Sequence, residues 1–312
     1  MCRYWGSGIP LTPFCLVFSE QGDNRDSLVN FIIGAIVVFG CVFGAFAEHG
    51  GNLHSIWQPS ELVILGGAAT GAFIIGNGLT LAKKTMGAMM ASFKADKYNK
   101  EDYLDLFGLM YDLFSVARKD GVLGLEREIE DPTKSAVFTK HTRVMKDHHA
   151  IEFIQDYMRM LVSGEMNPFQ LENLMDIELQ THHHEVEGMA TAVNKVADAM
   201  PGFGIVAAVL GIVNTMAAIG GPVNEIGEKV GAALVGTFLG ILLSYGFLGP
   251  ISIGMERRMK DEAAFFLVIK TCIIAMVQGY APLIAVEFGR KAAPTAFRPG
   301  FQELENHVKG RK

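Results

Sequence analysis

Two long stretches without a charged side chain constrain this sequence more than any other feature. Between Asp198 and Glu225 lie 26 residues (199–224), and between Lys229 and Glu256 another 26 (230–255), none of them Asp, Glu, Lys, Arg or His. A helix needs about 20 apolar residues to cross the hydrocarbon core of a bilayer, so each stretch can span it. Both are rich in Gly and Ala, which lets helix backbones approach closely, and Gly236 with Gly240 forms a small-xxx-small pair. Asn214, Thr215, Thr237, Ser244 and Tyr245 add polar groups for which a simple lipid anchor has no use. They are expected to face another helix or water.

Two shorter windows precede this pair. Between Asp26 and Glu48, and again between Glu61 and Lys83, lie 21 uncharged and largely apolar residues. Orientation follows from the basic residues, which favour the cytoplasmic side. The connector 83–199 holds 14 of the 27 Lys and Arg, and the tail after 255 holds 10. The connector 48–61 holds none, and 221–229 holds Lys229 alone. The expected protein is therefore an all-α integral membrane protein with four transmembrane helices and both termini cytoplasmic. Its parts are an N-terminal extension (1–28), spans at 29–48, 62–82, 200–221 and 230–254, a helical cytoplasmic domain at 83–199, and a C-terminal helix and tail at 255–312.

The extension is too short of apolar length for a signal peptide and contains Pro10 and Pro13. Two explanations stay open for it, a start codon read too far upstream or a disordered segment. A net charge of −6 argues against nucleic acid as a partner and shows no polybasic lipid-binding block. Cys2, Cys15, Cys41 and Cys272 have no paired spacing, so no disulfide is expected.

The cytoplasmic part reads as helix throughout. Tyr103, Leu106, Phe107, Met110, Leu113, Phe114 and Ala117 recur at helical spacing, with Gly121 expected to stop that helix and LEREIEDP (125–132) to form an acidic turn. Helices are expected over 134–163 and 169–198, the second capped by Asn167 ahead of Pro168. Met255, Met259, Phe266, Ile269, Ile273 and Met276 make a further stripe, and Lys270 argues against a fifth span there.

Several chemistries find no support. His148, His149 and His182 to His184 are adjacent rather than at ligand spacing, so no metal site is expected. Nucleotide loops are missing and no Ser, His and Asp set can be assembled, so neither an enzyme nor a cofactor is expected. The four windows themselves carry no ionisable group, although ion pumps normally hold one at membrane depth. Either the assembly is passive, a stand-alone channel or a scaffold, or the ionisable group comes from another polypeptide.

The stretches QPSELVILGGAATGAFIIGN (58–77), LEREIEDP (125–132), PGFGIVAAVLGIV (201–213), VGTFLGILLSYGF (235–247) and YAPLIAVEFGRK (280–291) resemble the MotA family of flagellar stator subunits, in order and in topology. The more distant ExbB and TolQ energisers differ in topology. The resemblance implies a ring subunit of the bacterial inner membrane, five copies around two chains of a MotB-like single-span, peptidoglycan-binding partner whose Asp takes up the ion. It also implies that the cytoplasmic head pushes the rotor protein FliG. By matched position, Arg118 and Glu126 would engage the rotor, Pro201 and Pro250 would couple membrane to head, and Thr237 would line the ion path. Sodium-driven relatives carry a second threonine where this sequence has Ala208, and losing that hydroxyl favours protons.

Overall fold

A computed structural model describes residues 27–94, 96–164, 166–216 and 219–310; the 1–26 part of the N-terminal extension, with Cys2 and Cys15, lies outside them. Ten α-helices occur among the described residues: α1 (Ser27–Glu48), α2 (Leu53–Ile56), α3 (Pro59–Ser92), α4 (Lys100–Glu130), α5 (His148–Ser163), α6 (Pro168–Met216), α7 (Val223–Leu243), α8 (Gly249–Val277), α9 (Pro282–Ala292) and α10 (Phe301–Lys309). No strand occurs among them. Four helical stretches are long and apolar enough to cross a membrane: Leu28–Glu48, Leu53–Ser92, Pro168–Met216 and Val223–Val277. The last two are far longer than a bilayer requires. The 49 residues of α6 extend about 74 Å at 1.5 Å per residue, more than twice a hydrocarbon core of about 30 Å. The same helices that cross the membrane therefore form the frame of the head.

The head core forms where α4 lays its apolar stripe on α8, with α5 and α9 closing the sides. Tyr103, Leu106, Phe107, Met110, Leu113 and Phe114 are buried, as are Met255, Met259, Phe266, Ile269 and Ile273 of the second stripe. Tyr98 stacks flat on Phe265 at 3.9 Å between ring centroids. Lys270, the residue that argued against a fifth span, is buried and donates to Asp176 of α6 at 2.6 Å. That ion pair belongs to a water-facing head, not to a bilayer.

Local structure departs from the sequence expectations in two places. Gly121 does adopt a left-handed conformation (φ 71°), but the chain resumes helix beyond it, so the acidic segment expected as a turn is helical to Glu130. The segment 134–163 is not one helix. Two short 3-10 turns, Phe138–Lys140 and Val144–Lys146, precede α5. The reason is competition for backbone donors. Ser135 Oγ accepts from the N–H groups of Val137 and Phe138, and the Asp105 carboxylate accepts from those of Arg143 and Val144 while bonding His141. Groups bound to side chains cannot build a helical ladder. Burial pushes the Asp105 carboxyl up, but the bond and charge of His141 and the two N–H donors outweigh it and hold it below the usual carboxylate range.

The start of α6 follows the expected chemistry. Asn167 Oδ1 accepts from Gln170 N–H at 2.9 Å and Gln170 Oε1 accepts from Asn167 N–H at 3.1 Å, a reciprocal cap ahead of Pro168.

Candidate functional site

The membrane helices α6 and α7 touch through glycine. A Cβ placed on Gly204 would lie 2.8 Å from the carbonyl oxygen of Gly236, and one on Gly240 2.8 Å from that of Met200. Gly211 meets Ala233 in the same way, at 2.6 Å. Only residues without a side chain allow this approach, and it brings polar groups of one helix onto the backbone of the other. The Thr237 hydroxyl donates to the Gly204 carbonyl of α6 at 3.3 Å, across the contact rather than along its own helix. Ala208 is buried one turn after Gly204 on the same helix. Thr215, by contrast, bonds its own helix at Gly211.

One turn towards the head, Pro201 sits inside α6. Its missing N–H leaves the carbonyl of Ala197 without a helical donor. The buried Ser244 hydroxyl, from the other long helix, donates to that carbonyl at 2.6 Å. Ser244 also opens a π-helical turn, Ser244–Leu248, which ends where Gly249 N–H bonds the Ser244 carbonyl. Pro250 follows at once, in the first turn of α8. A proline strips the i−4 carbonyl of its donor, and widening the preceding turn to i+5 bonding accommodates it. The two prolines thus mark one joint: a kinkable position in α6 facing a widened turn in its neighbour, tied by Ser244. Farther along, the Ser252 hydroxyl donates to Ala190 at 2.9 Å.

Ser244 faces another helix, as its polar side chain in a span led one to expect, whereas Ser252 was not singled out from the sequence. A serine at helical spacing in a glycine-rich span carries no signal until the carbonyl it meets is known. Replacing Ser244 with Ala is expected to leave a buried carbonyl unsatisfied and cost about 1–3 kcal/mol. Thermal denaturation of the purified protein would register this as a lowered midpoint; an unchanged midpoint would remove the tie.

Arg118 and Glu126 are both exposed and lie on either side of the Gly121 break in α4. Neither has a polar partner among the described residues. The structure gives them proximity along one helix and open charge, and does not bring them to the joint.

The four windows carry no Asp, Glu, His, Lys or Arg, as read from the sequence, but a carboxylate just outside the second one packs into the bundle. Glu61, taken from the sequence as the edge of the second span, is 7% exposed, with Oε2 buried and unpartnered among the described residues. It reaches the α6–α7 contact at Gly236 and Ala207. Window counting missed it because a residue at the edge of a charge-free run looks interfacial, whereas the packing of α3 carries it inward. The span itself is also not straight, since Gly78 (φ 73°) breaks α3 in the half that leads to the head. Among the described residues no group of three or more His, Cys, Asp or Glu side chains could hold a metal.

Comparison with known proteins places the chain in a family. Residues 32–121 match the family described as Motility protein A N-terminal, and residues 145–266 match the MotA/TolQ/ExbB proton channel family. The chain is 44% identical over 278 residues to Motility protein A of Salmonella typhimurium, covering 89% of this chain and 94% of that relative. It belongs to the MotA family. Its fold is that of MotAB from C. jejuni, with a TM-score of 0.70 at 18% identity over 86% of this chain and 96% of the other. The flagellar MotAB stator complex of Bacillus subtilis gives a TM-score of 0.66 at 22% identity, over 82% and 92%. As in other family members, this is a multi-pass membrane protein. The α6–α7 contact and both prolines of the joint fall inside the matched proton-channel segment, and Arg118 falls inside the N-terminal one. Glu126 and the first 3-10 turn lie between the two, and the second 3-10 turn straddles the start of the proton-channel segment.

Proposed function

We propose that this chain is the ring subunit of a flagellar stator in the bacterial inner membrane, coupling proton flow to torque. The observation that carries the proposal is mechanical. Two helices run from the membrane into the head, and their irregularities are concentrated at one level, Pro201 against the π-turn before Pro250. A change at the Thr237 level is thereby transmitted to the head by stiff helices pivoting at a defined joint.

The partner is a MotB-like, single-span, peptidoglycan-binding subunit whose aspartate binds the ion, with five copies of this chain around two of it. The head and both termini are cytoplasmic, where Arg118 and Glu126 meet FliG. The energetics suit small steps. One charge falling through 100 mV releases about 2.3 kcal/mol. A hydrogen bond such as that of Ser244 to Ala197 is worth about 0.5–1.5 kcal/mol net, so one ion suffices to remake such a contact.

Ala208 supports protons as the ion. A sodium ion needs several oxygen ligands in place of its water, and an alanine at the matched position withdraws one. Swimming driven by this chain is expected to persist in sodium-free medium and to stop with a protonophore. Speed that tracks external sodium would overturn the ion assignment.

A further inference from the structure

Glu61 is the third residue of α3. A glutamate there commonly reaches back to the free N–H groups of the cap or stands in water. Here Gln58, at the cap, makes no side-chain cap bond, and Glu61 does not turn to it. The side chain instead shares the inward stripe of Leu65 and Ala69, both buried one and two turns on.

Its destination is the α6–α7 contact. A Cβ on Gly236 would lie 2.6 Å from Glu61 Oε2 and 2.9 Å from the Ala207 methyl. The missing side chain of Gly236 is therefore what leaves room for the carboxyl group. Gly236 comes seven residues after Lys229, about 10 Å farther along the helix, so the carboxyl lies well inside the charge-free stretch. At this point the carboxyl meets Gly236 of α7 and, beside it, the Ala207 methyl of α6, neither of which titrates. The nearest charges on α7 are Lys229, paired with Glu225 at 3.0 Å, and exposed Glu228; on α2 the nearest titratable group is exposed His54. None of these pairs with Glu61 Oε2.

An unpaired carboxylate moved out of water costs so much that the group takes up a proton instead. We propose that Glu61 is a proton-binding site of this chain, a carboxylic acid held inside the bundle against Gly236. The step is a protonation. A water-borne proton forms one O–H bond to the carboxylate, no electrons are transferred, and release restores the carboxylate. The residual exposure of Glu61 gives the proton its way in. Separation of α6 from α7 at Gly236 would wet the group and let it ionise, so its proton is tied to the spacing of the two helices. This depends on the stator reading only for the use to which the proton is put.

Infrared difference spectra of the full-length protein in vesicles at neutral pH test it. The expected result is a protonated-carboxyl C=O band that shifts in deuterated water and is lost in Glu61→Gln. An identical band in that variant, or an ionised Glu61 at neutral pH, would overturn the site. A second measurement needs no variant. An apolar carbodiimide adds across a protonated carboxyl, the acid oxygen bonding to the central carbon and the proton passing to nitrogen. Mass spectrometry should find the adduct on Glu61 in preference to exposed Glu48 and Glu225. Labelling of those two with none on Glu61 would also overturn it. Neither readout requires the cells to swim, so failure of the stator proposal would leave both results interpretable.

Discussion

Cells whose only copy of this protein carries Arg118→Glu together with Glu126→Lys are expected to be non-motile, with normal amounts of the protein in the membrane. Both side chains are exposed and free of partners among the described residues, so reversing them removes no contact seen there and should not unfold the head. Their effect lies entirely in what they meet. Exposed charges at an interface register and steer more than they bind, and opposing like charges costs several kcal/mol. Two reversals on the same helix turn attraction into repulsion at both positions. A swimming assay beside a membrane blot separates this from misfolding. Normal swimming would take these residues out of the rotor contact.

The second large effect is expected at Gly240. A single methyl there meets the carbonyl oxygen of Met200 at 2.8 Å and the Cα of Gly204 at 3.0 Å. Both are backbone, and no rotamer change relieves the clash, so α6 and α7 must separate. Overpacking of this kind costs about 1–3 kcal/mol. The functional loss should exceed the loss of stability. Met200 directly precedes Pro201, and separation also stretches the Thr237 bond to Gly204 and the Ser244 bond to Ala197. Gly240→Ala is therefore expected to insert but not to support swimming. Gly231→Ala, on the same helix with nothing within 4 Å of its added methyl, should swim normally. Equal motility of the two variants would show that the close contact does not matter for torque.

What the sequence displays and what it conceals divide along physical lines. The four apolar crossings are visible because a bilayer excludes charge over some twenty residues, a signal no local contact can blur. The stripe from Tyr103 to Phe114 is visible because one face of a long helix meets one core. Concealed features depend on a partner distant in the chain. Pro201 looks like the start of a span, yet α6 runs through it from Pro168 to Met216, because the stranded carbonyl of Ala197 is taken by Ser244, 47 residues from Ala197. The segment after Pro132 looks helical, yet Asp105 takes its N–H groups from 38 and 39 residues away. Glu61 looks like a border charge, yet the gap left by Gly236 draws it inward. Arg118 and Glu126 are different again. Nothing in their surroundings marks them out from other exposed charges, and only the family resemblance singles them out.

The central claim is that this chain turns proton flow into motion but borrows the carboxylate through which the proton passes. Proton uptake by vesicles under an imposed membrane potential tests it most directly. The chain would be reconstituted alone, with its single-span partner, and with that partner's intramembrane aspartate changed to asparagine. Uptake is predicted only when the intact aspartate is present. Uptake by vesicles holding this chain alone would contradict the account.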